Sequence, residues 1–256
     1  MTTLMPVLFI GHGSLMNAIE DNEFSRAWIA AVRNLPCPKA ILCVSAHWET
    51  EGTQVTAMDK PKTIYDFYGF PPELYAVQYP APGSPELAQR VRDLVKPAAV
   101  ELDQTWGLDH GAWSVLSRLY PNADVPVVQL SLDVKKSPQE HYDLGRQLKT
   151  LREEGVLILG SGNIVHNLRI LNWEDSAYDW AVDYDAKVKQ WILDDDHDSI
   201  IQYHQHGREA ALAINSAEHY KPLLYVLGAE EPGEPVSFFD EKVTLGSISM
   251  RLLRIG

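Results

Sequence analysis

The 256-residue chain carries 22 Lys and Arg against 35 Asp and Glu, a formal net charge of −13, with 45% hydrophobic residues, two cysteines and nine histidines. A chain of this length supports one domain or at most two and buries roughly 70–75% of its extended surface, so it needs no disulfide or metal staple. The acidic balance excludes nucleic acid and anionic membrane as partners, which demand a basic footprint, and Cys37 and Cys43 lie too close in sequence to build a disulfide framework or a cysteine zinc site.

In chain order, residues 7–10 form the first short apolar run. No basic segment precedes it, and nowhere do 18 apolar residues follow one another. Neither a signal peptide nor a membrane helix is expected, and the chain reads as cytoplasmic. A helix is predicted from Asp21, with Phe24, Trp28, Ala31, Val32 and Leu35 at a 3.6 period until Pro36 stops it. Residues 41–46 read as a second buried strand. Ser84-Pro85-Glu86 places an N-cap before an N1 proline, and residues 125–130 are a third strand. Ser137-Pro138-Gln139-Glu140 is a capping box that opens a helix closed by Gly155.

The fourth strand covers residues 156–159, and Ala177, Ala181, Tyr184, Val188 and Trp191 mark another helix. The acidic run at residues 194–198 reads as a solvated turn. Residues 243–253 alternate, with Ile248, Met250 and Leu252 opposite Ser247, Ser249 and Arg251, which predicts a half-exposed strand near a sheet edge. Strands that are apolar on both sides, separated by amphipathic helices, predict an α/β fold. The expected architecture is a single three-layer α/β/α domain over residues 1–256 with a mostly parallel central sheet.

The informative feature is where the histidines fall. His12 follows the first strand within Gly11-His12-Gly13-Ser14, His47 follows the second within Ser45-Ala46-His47-Trp48, and His166 follows the fourth after Gly160-Ser161-Gly162-Asn163. If these strands are parallel, all three reach the carboxyl edge of one sheet, where open α/β folds bind ligands. Imidazoles delivered there by separate strands suit a divalent transition metal.

His110, in Asp109-His110-Gly111-Ala112-Trp113, and His219, in Glu218-His219-Tyr220, sit in no apolar stripe, so packing alone does not account for them. His141 is expected to be exposed, and His197, His204 and His206 to lie on the surface. Neither a nucleophile elbow nor a phosphate-binding glycine fingerprint follows any strand. The aromatic loop Tyr65-Asp66-Phe67-Tyr68-Gly69-Phe70 either lines a pocket for a planar ring or caps the core.

Together these segments resemble the 4,5-DOPA extradiol dioxygenase family, the LigB-like branch of extradiol ring-cleaving dioxygenases, and especially its bacterial members. The resemblance runs in family order from residue 11 to residue 220, through the histidine motifs above, the aromatic loop, Tyr79-Pro80-Ala81-Pro82-Gly83 and Val165-His166-Asn167-Leu168. Leu15 stands where many relatives have proline, a difference of loop stiffness.

The resemblance implies a metal held by His12, His47 and His219, with His166 beside it as a fourth ligand or as acid/base and His110 facing the substrate. Glu218 and His219 are adjacent, and an extended segment would turn only one of them inward; family position selects His219. The implied reaction inserts both atoms of O2 into a catechol such as DOPA, by 4,5-cleavage to a muconate semialdehyde. His110 and His166 would move protons, and Trp48, Phe67 or Trp113 would wall the ring. Non-haem Fe(II) is expected for turnover and Zn(II) in isolated protein, because the affinity order favours zinc. The rival readings are a zinc-dependent hydrolase, which would want a carboxylate base beside the metal, and a tetrapyrrole metal chelatase, which would account for His12 but not for the ordered set.

Overall fold

The structure, a computed structural model, describes residues 4–174 and 176–256. The elements run β1 (Val7–Gly11), α1 (Glu23–Val32), β2 (Ala40–Thr50), β3 (Thr53–Thr56), α2 (Pro72–Tyr75), α3 (Pro85–Leu94), β4 (Val100–Asp103), α4 (His110–Leu119) and β5 (Val127–Asp133). They continue with α5 (Pro138–Leu148), β6 (Val156–Gly162), α6 (Asp179–Leu193), α7 (His197–Ile201), α8 (Gly207–Ala213), α9 (Lys221–Gly228), β7 (Val236–Asp240), β8 (Val243–Thr244), β9 (Ile248–Ser249) and β10 (Leu252–Ile255). The helix starts foreseen at Ser84 and Ser137 are present. Each serine accepts a backbone N–H three residues on, with proline at the first helical position. Helix α1 begins two residues after Asp21, because Asn22 forms a capping box with Ser25.

Eight strands form one open sheet in the order β4-β3-β5-β2-β6-β1-β10-β7. Its centre is parallel, with β1 and β2 flanking β6 and β5 beside β2, while β10, β7 and the β3–β5 pairing are antiparallel. Alternation along the central strands divides the core between two faces. Val7, Phe9, Leu42 and Val44 pack toward α3, α5, α6 and α9. Leu8, Ile10, Ile41 and Cys43 pack toward α1 and α4, around Trp28 and Trp113. The result is three layers with helices on both faces. Among the described residues no helix is long and apolar enough to cross a membrane.

Two expectations are corrected. The segment 243–253 is not one half-exposed strand. It is broken into β8, β9 and β10, and β10 lies inside the sheet between β1 and β7. All three polar residues are buried: Arg251 pairs with buried Asp185 from α6, which also accepts the Ser249 hydroxyl, while the Ser247 hydroxyl donates to the Asn167 carbonyl. The polar alternation marks an internal ion pair rather than solvent. His141 is likewise fully buried, with Nδ1 2.9 Å from the Tyr225 hydroxyl. A single polar group on an otherwise amphipathic helix found a partner on α9.

Candidate metal centre

Because β1, β6 and β2 are parallel, their carboxyl ends share one edge, and the site is built there. His12 is the first residue after β1, with its N–H bonded to the Gly162 carbonyl at the end of β6. His47 lies within β2, at a break in register: Val44 pairs with Leu130, but the next pair is Glu49 with Leu132. The extra residues of this bulge re-aim His47 toward the site. His219 sits in the turn before α9, anchored where the Asn163 N–H meets its carbonyl. A Cβ on Gly162 would overlap that same carbonyl, so glycine is what lets the turn approach the strand end.

The three rings form a nearly equilateral triangle, with centroids 5.1 Å apart for His12–His47 and His12–His219 and 5.0 Å for His47–His219. Hydrogen bonding fixes which nitrogen of two of them faces inward. The only hydroxyl proton of Ser161 goes to the Gly111 carbonyl at 2.6 Å, so the Ser161 oxygen accepts from His12 Nδ1 at 3.0 Å. Glu218 Oε1 accepts from His219 Nδ1 at 3.0 Å. Nε2 of each is therefore left as a lone pair, and His12 Nε2 lies 3.2 Å from His47 Nε2.

Burial, reinforced by the neighbouring imidazoles, pushes His12 and His219 well below the ordinary histidine range. Burial and then His110 bring His47 down to about 3, against the opposing pull of Asp66. Neutral rings with converging lone pairs repel one another unless a cation lies between them. The donors of His12, His47 and His219 all fall within 4.8 Å of one another. This donor set fits a divalent transition metal, with each Nδ1 partner holding its ring in orientation.

The other two histidines flank the triangle. His110 opens α4, whose N-cap Asp109 is fully buried and accepts from Ser45 Oγ at 2.7 Å, Gln129 Nε2 at 2.7 Å and the Ala112 N–H at 3.0 Å. That network fixes the ring 3.6 Å, centroid to centroid, from His47, with Nδ1 2.9 Å from Asp66 Oδ2. Burial pushes the Asp66 carboxyl up, but its hydrogen bond and charge contact with His110 outweigh this and hold it below the ordinary range. A Cβ on Gly111 would come within 2.8 Å of the His47 ring, so the small residue after His110 makes room for the pair. His166 stacks on His219 at 3.5 Å and 10°. Its donor groups with those of Glu218 and His219 rather than with His12 and His47. Burial lowers it to about 4, partly offset by Glu218.

All five histidines line a cavity of about 450 Å³, walled by Leu15, Phe70, Leu171, Trp173 and Ile248. Trp48 instead stacks on Trp106, and Trp113 is buried with its indole N–H on the Ile64 carbonyl, so neither lines the cavity. From the aromatic loop, Asp66 and Phe70 face the site while Tyr68 is 91% exposed. Sequence reasoning missed Asp66, Ser161 and Glu218 as ring-orienting partners. An extended segment would turn only one of Glu218 and His219 inward; in the observed turn His219 lines the cavity and Glu218 lies behind it, bonded to its Nδ1.

The family described as "Catalytic LigB subunit of aromatic ring-opening dioxygenase" matches residues 6–248. The chain is 48% identical to the 4,5-DOPA dioxygenase extradiol of Escherichia coli (strain K12), over 100% of this chain and 96% of that protein. It is 40% identical to that of Beta vulgaris, over 86% and 85%. A crystal structure of an uncharacterised protein from Escherichia coli K12 superposes with a TM-score of 0.86 at 45% identity, covering 98% of this chain and 100% of the other. These matches set aside the hydrolase and chelatase readings: the chain belongs to the LigB family of extradiol, aromatic ring-opening dioxygenases.

Proposed function

We propose that the chain, acting as one domain, cleaves a substituted catechol such as DOPA at the 4,5 position to a muconate semialdehyde, with a divalent metal held by His12, His47 and His219. The observation that carries the reading is the triangle of neutral imidazoles at the floor of an apolar cavity. Both oxygen atoms enter the product and the ring carbon–carbon bond beside the diol breaks, so no external reductant is consumed. A metal held there would supply a meeting point for catechol and dioxygen and a route for electrons between them; Fe(II) is expected for turnover and Zn(II) in isolated protein.

The chain's own residues do the rest. Phe70 and Trp173 offer faces against which a planar ring packs. His110, backed by Asp66 at 2.9 Å, takes a proton from the catechol hydroxyl and holds it as an ion pair. His166, neutral because it is buried, serves as the second proton carrier for the ring-opening steps. Its place against the outer face of His219 supports a role beside the metal rather than as a permanent fourth ligand. A permanent fourth protein ligand would leave the metal less room for both catechol and dioxygen.

The test is anaerobic reconstitution with Fe(II) followed by exposure to DOPA and oxygen. One O2 consumed per catechol, with a yellow ring-opened product, is the expected result. Oxygen uptake without ring opening would overturn the reading.

A further inference from the structure

A second group of metal-type donors meets at the far end of α9 from the histidine triangle. The turn ahead of α9 carries His219, the helix extends about 12 Å over its eight residues, and Glu230 follows its C-terminus. There Glu230 meets His197, the first residue of α7, and Asp195 from the preceding turn.

His197 Nδ1 is engaged by the Tyr142 hydroxyl at 2.8 Å. Its Nε2 faces Glu230 Oε2 at 3.4 Å and Asp195 Oδ1 at 3.5 Å. Although the sequence places His197 in an acidic, solvated run, its side chain is only 13% exposed, as is that of Glu230. His197 Nε2 and Glu230 Oε2 are both shut off from solvent and have no hydrogen-bond partner.

The distances discriminate between two accounts of this cluster. A protonated imidazole paired with a carboxylate closes to about 2.7–2.9 Å. Two donors bound to one tetrahedral ion at about 2.0–2.1 Å lie about 3.3–3.4 Å apart. The observed spacings match the second case. Nδ1 held by Tyr142 is also the outer contact that a metal-binding imidazole requires. Two carboxylates and one imidazole form a donor set suited to a dication, and the three donors line a cavity of about 260 Å³ that leaves room for a water as the fourth ligand.

We propose that His197 Nε2, Glu230 Oε2 and Asp195 Oδ1 form a second divalent-metal site of the zinc class, separate from the dioxygenase centre. It ties the entry of α7 to the exit of α9.

The experiment counts zinc and Co(II) bound to chelator-stripped protein by calorimetry and by the visible spectrum of tetrahedral Co(II). Wild type should take up two equivalents. His197→Ala and Glu230→Gln should each take up one, with catechol turnover retained and circular dichroism unchanged. The double variant His12→Ala/His219→Ala should keep one equivalent, and Tyr142→Phe should weaken the second by about tenfold. A single equivalent in wild type, or a second that survives both His197→Ala and Glu230→Gln, overturns the proposal.

Discussion

At the carboxyl edge of β1, β2 and β6 the buried ionisable groups are alike: imidazoles packed together, with carboxylates held to the outside of the triangle. Under β9 and β10 they are opposite. Arg251 donates to Asp185 through Nε at 3.0 Å and through Nη2, and its Nη1 reaches Glu241 at 2.7 Å. Each region satisfies the cost of burying polar groups differently. The ion pair is complete within the chain, so its role is structural. The imidazoles instead stay neutral and leave lone pairs converging on a point that no protein atom fills, so their arrangement is completed only by something from outside. Here the gathered imidazoles mark function, and the Arg251–Asp185 pair marks architecture.

The comparison can be broken most severely at the triangle. His219→Ala is expected to lose stoichiometric metal and all measurable turnover while the circular dichroism and unfolding midpoint of the apoprotein stay near wild type. Collapse of the fold would make the triangle architectural after all. His110→Ala should keep the metal and lower kcat by about 10²–10⁴-fold. Metal analysis alongside oxygen uptake checks this, and loss of metal would move His110 into the ligand set.

Asp185→Ala inverts the pattern. Leaving Arg251 buried and unpaired should cost about 3–5 kcal/mol, a fall in Tm of roughly 6–20 °C, with metal affinity unchanged. Glu218→Gln is expected to weaken metal binding by about 10–100-fold without a change in Tm, since it loosens the orientation of His219 rather than removing a donor.

The smallest effect concerns His141, which is buried but outside both regions and held at about 4, mainly by burial and then by Lys221. Its folded pKa is below the unfolded value near 6.5, so the unfolded state binds the extra proton between those values. The stability this group contributes is intact above pH 6.5 and declines as pH falls toward 4, by up to about 1.4 kcal/mol per pH unit. Denaturant unfolding of wild type and His141→Gln at pH 7 and pH 5 should show the two converging at the lower pH. Parallel changes would assign the pH dependence to other groups.

The parallel centre of the sheet, the serine-capped helices and the placement of His12 and His166 past strand ends were legible because each rests on local pattern: continuous apolar runs, caps and glycines. His47, expected to follow a strand ending at residue 46, lies instead inside β2, which runs on to Thr50. What stayed hidden depends on contacts distant in sequence. Arg251 reads as a solvent-facing residue until Asp185 is brought beneath it, 66 residues away. His141 reads as exposed until Tyr225 arrives from α9. Asp66 reaches His110 across 44 residues, and Ser161 meets His12 across 149. Short strands such as β3 and β4 carry too few residues to show a period, and the pairing of β3 with β4 on one side and β5 on the other supplies what their sequence lacks.

The position of β1 also governs when the protein can assemble. Val7 is paired with Ile255 on one side and Ile158 on the other, so β1 has no neighbour until β6 has been made and no second one until β10 has. His12 depends on that strand, and His219 emerges only after most of the sheet. Contacts of such sequence separation make folding slow, and the nascent chain has no complete triangle to capture an ion during most of synthesis. Capture of an ion by all three imidazoles therefore waits until His219 has been made. A circular permutant that joins the neighbouring ends of β1 and β10 and opens the chain at the exposed start of α8, at Gly207, should fold and load sooner.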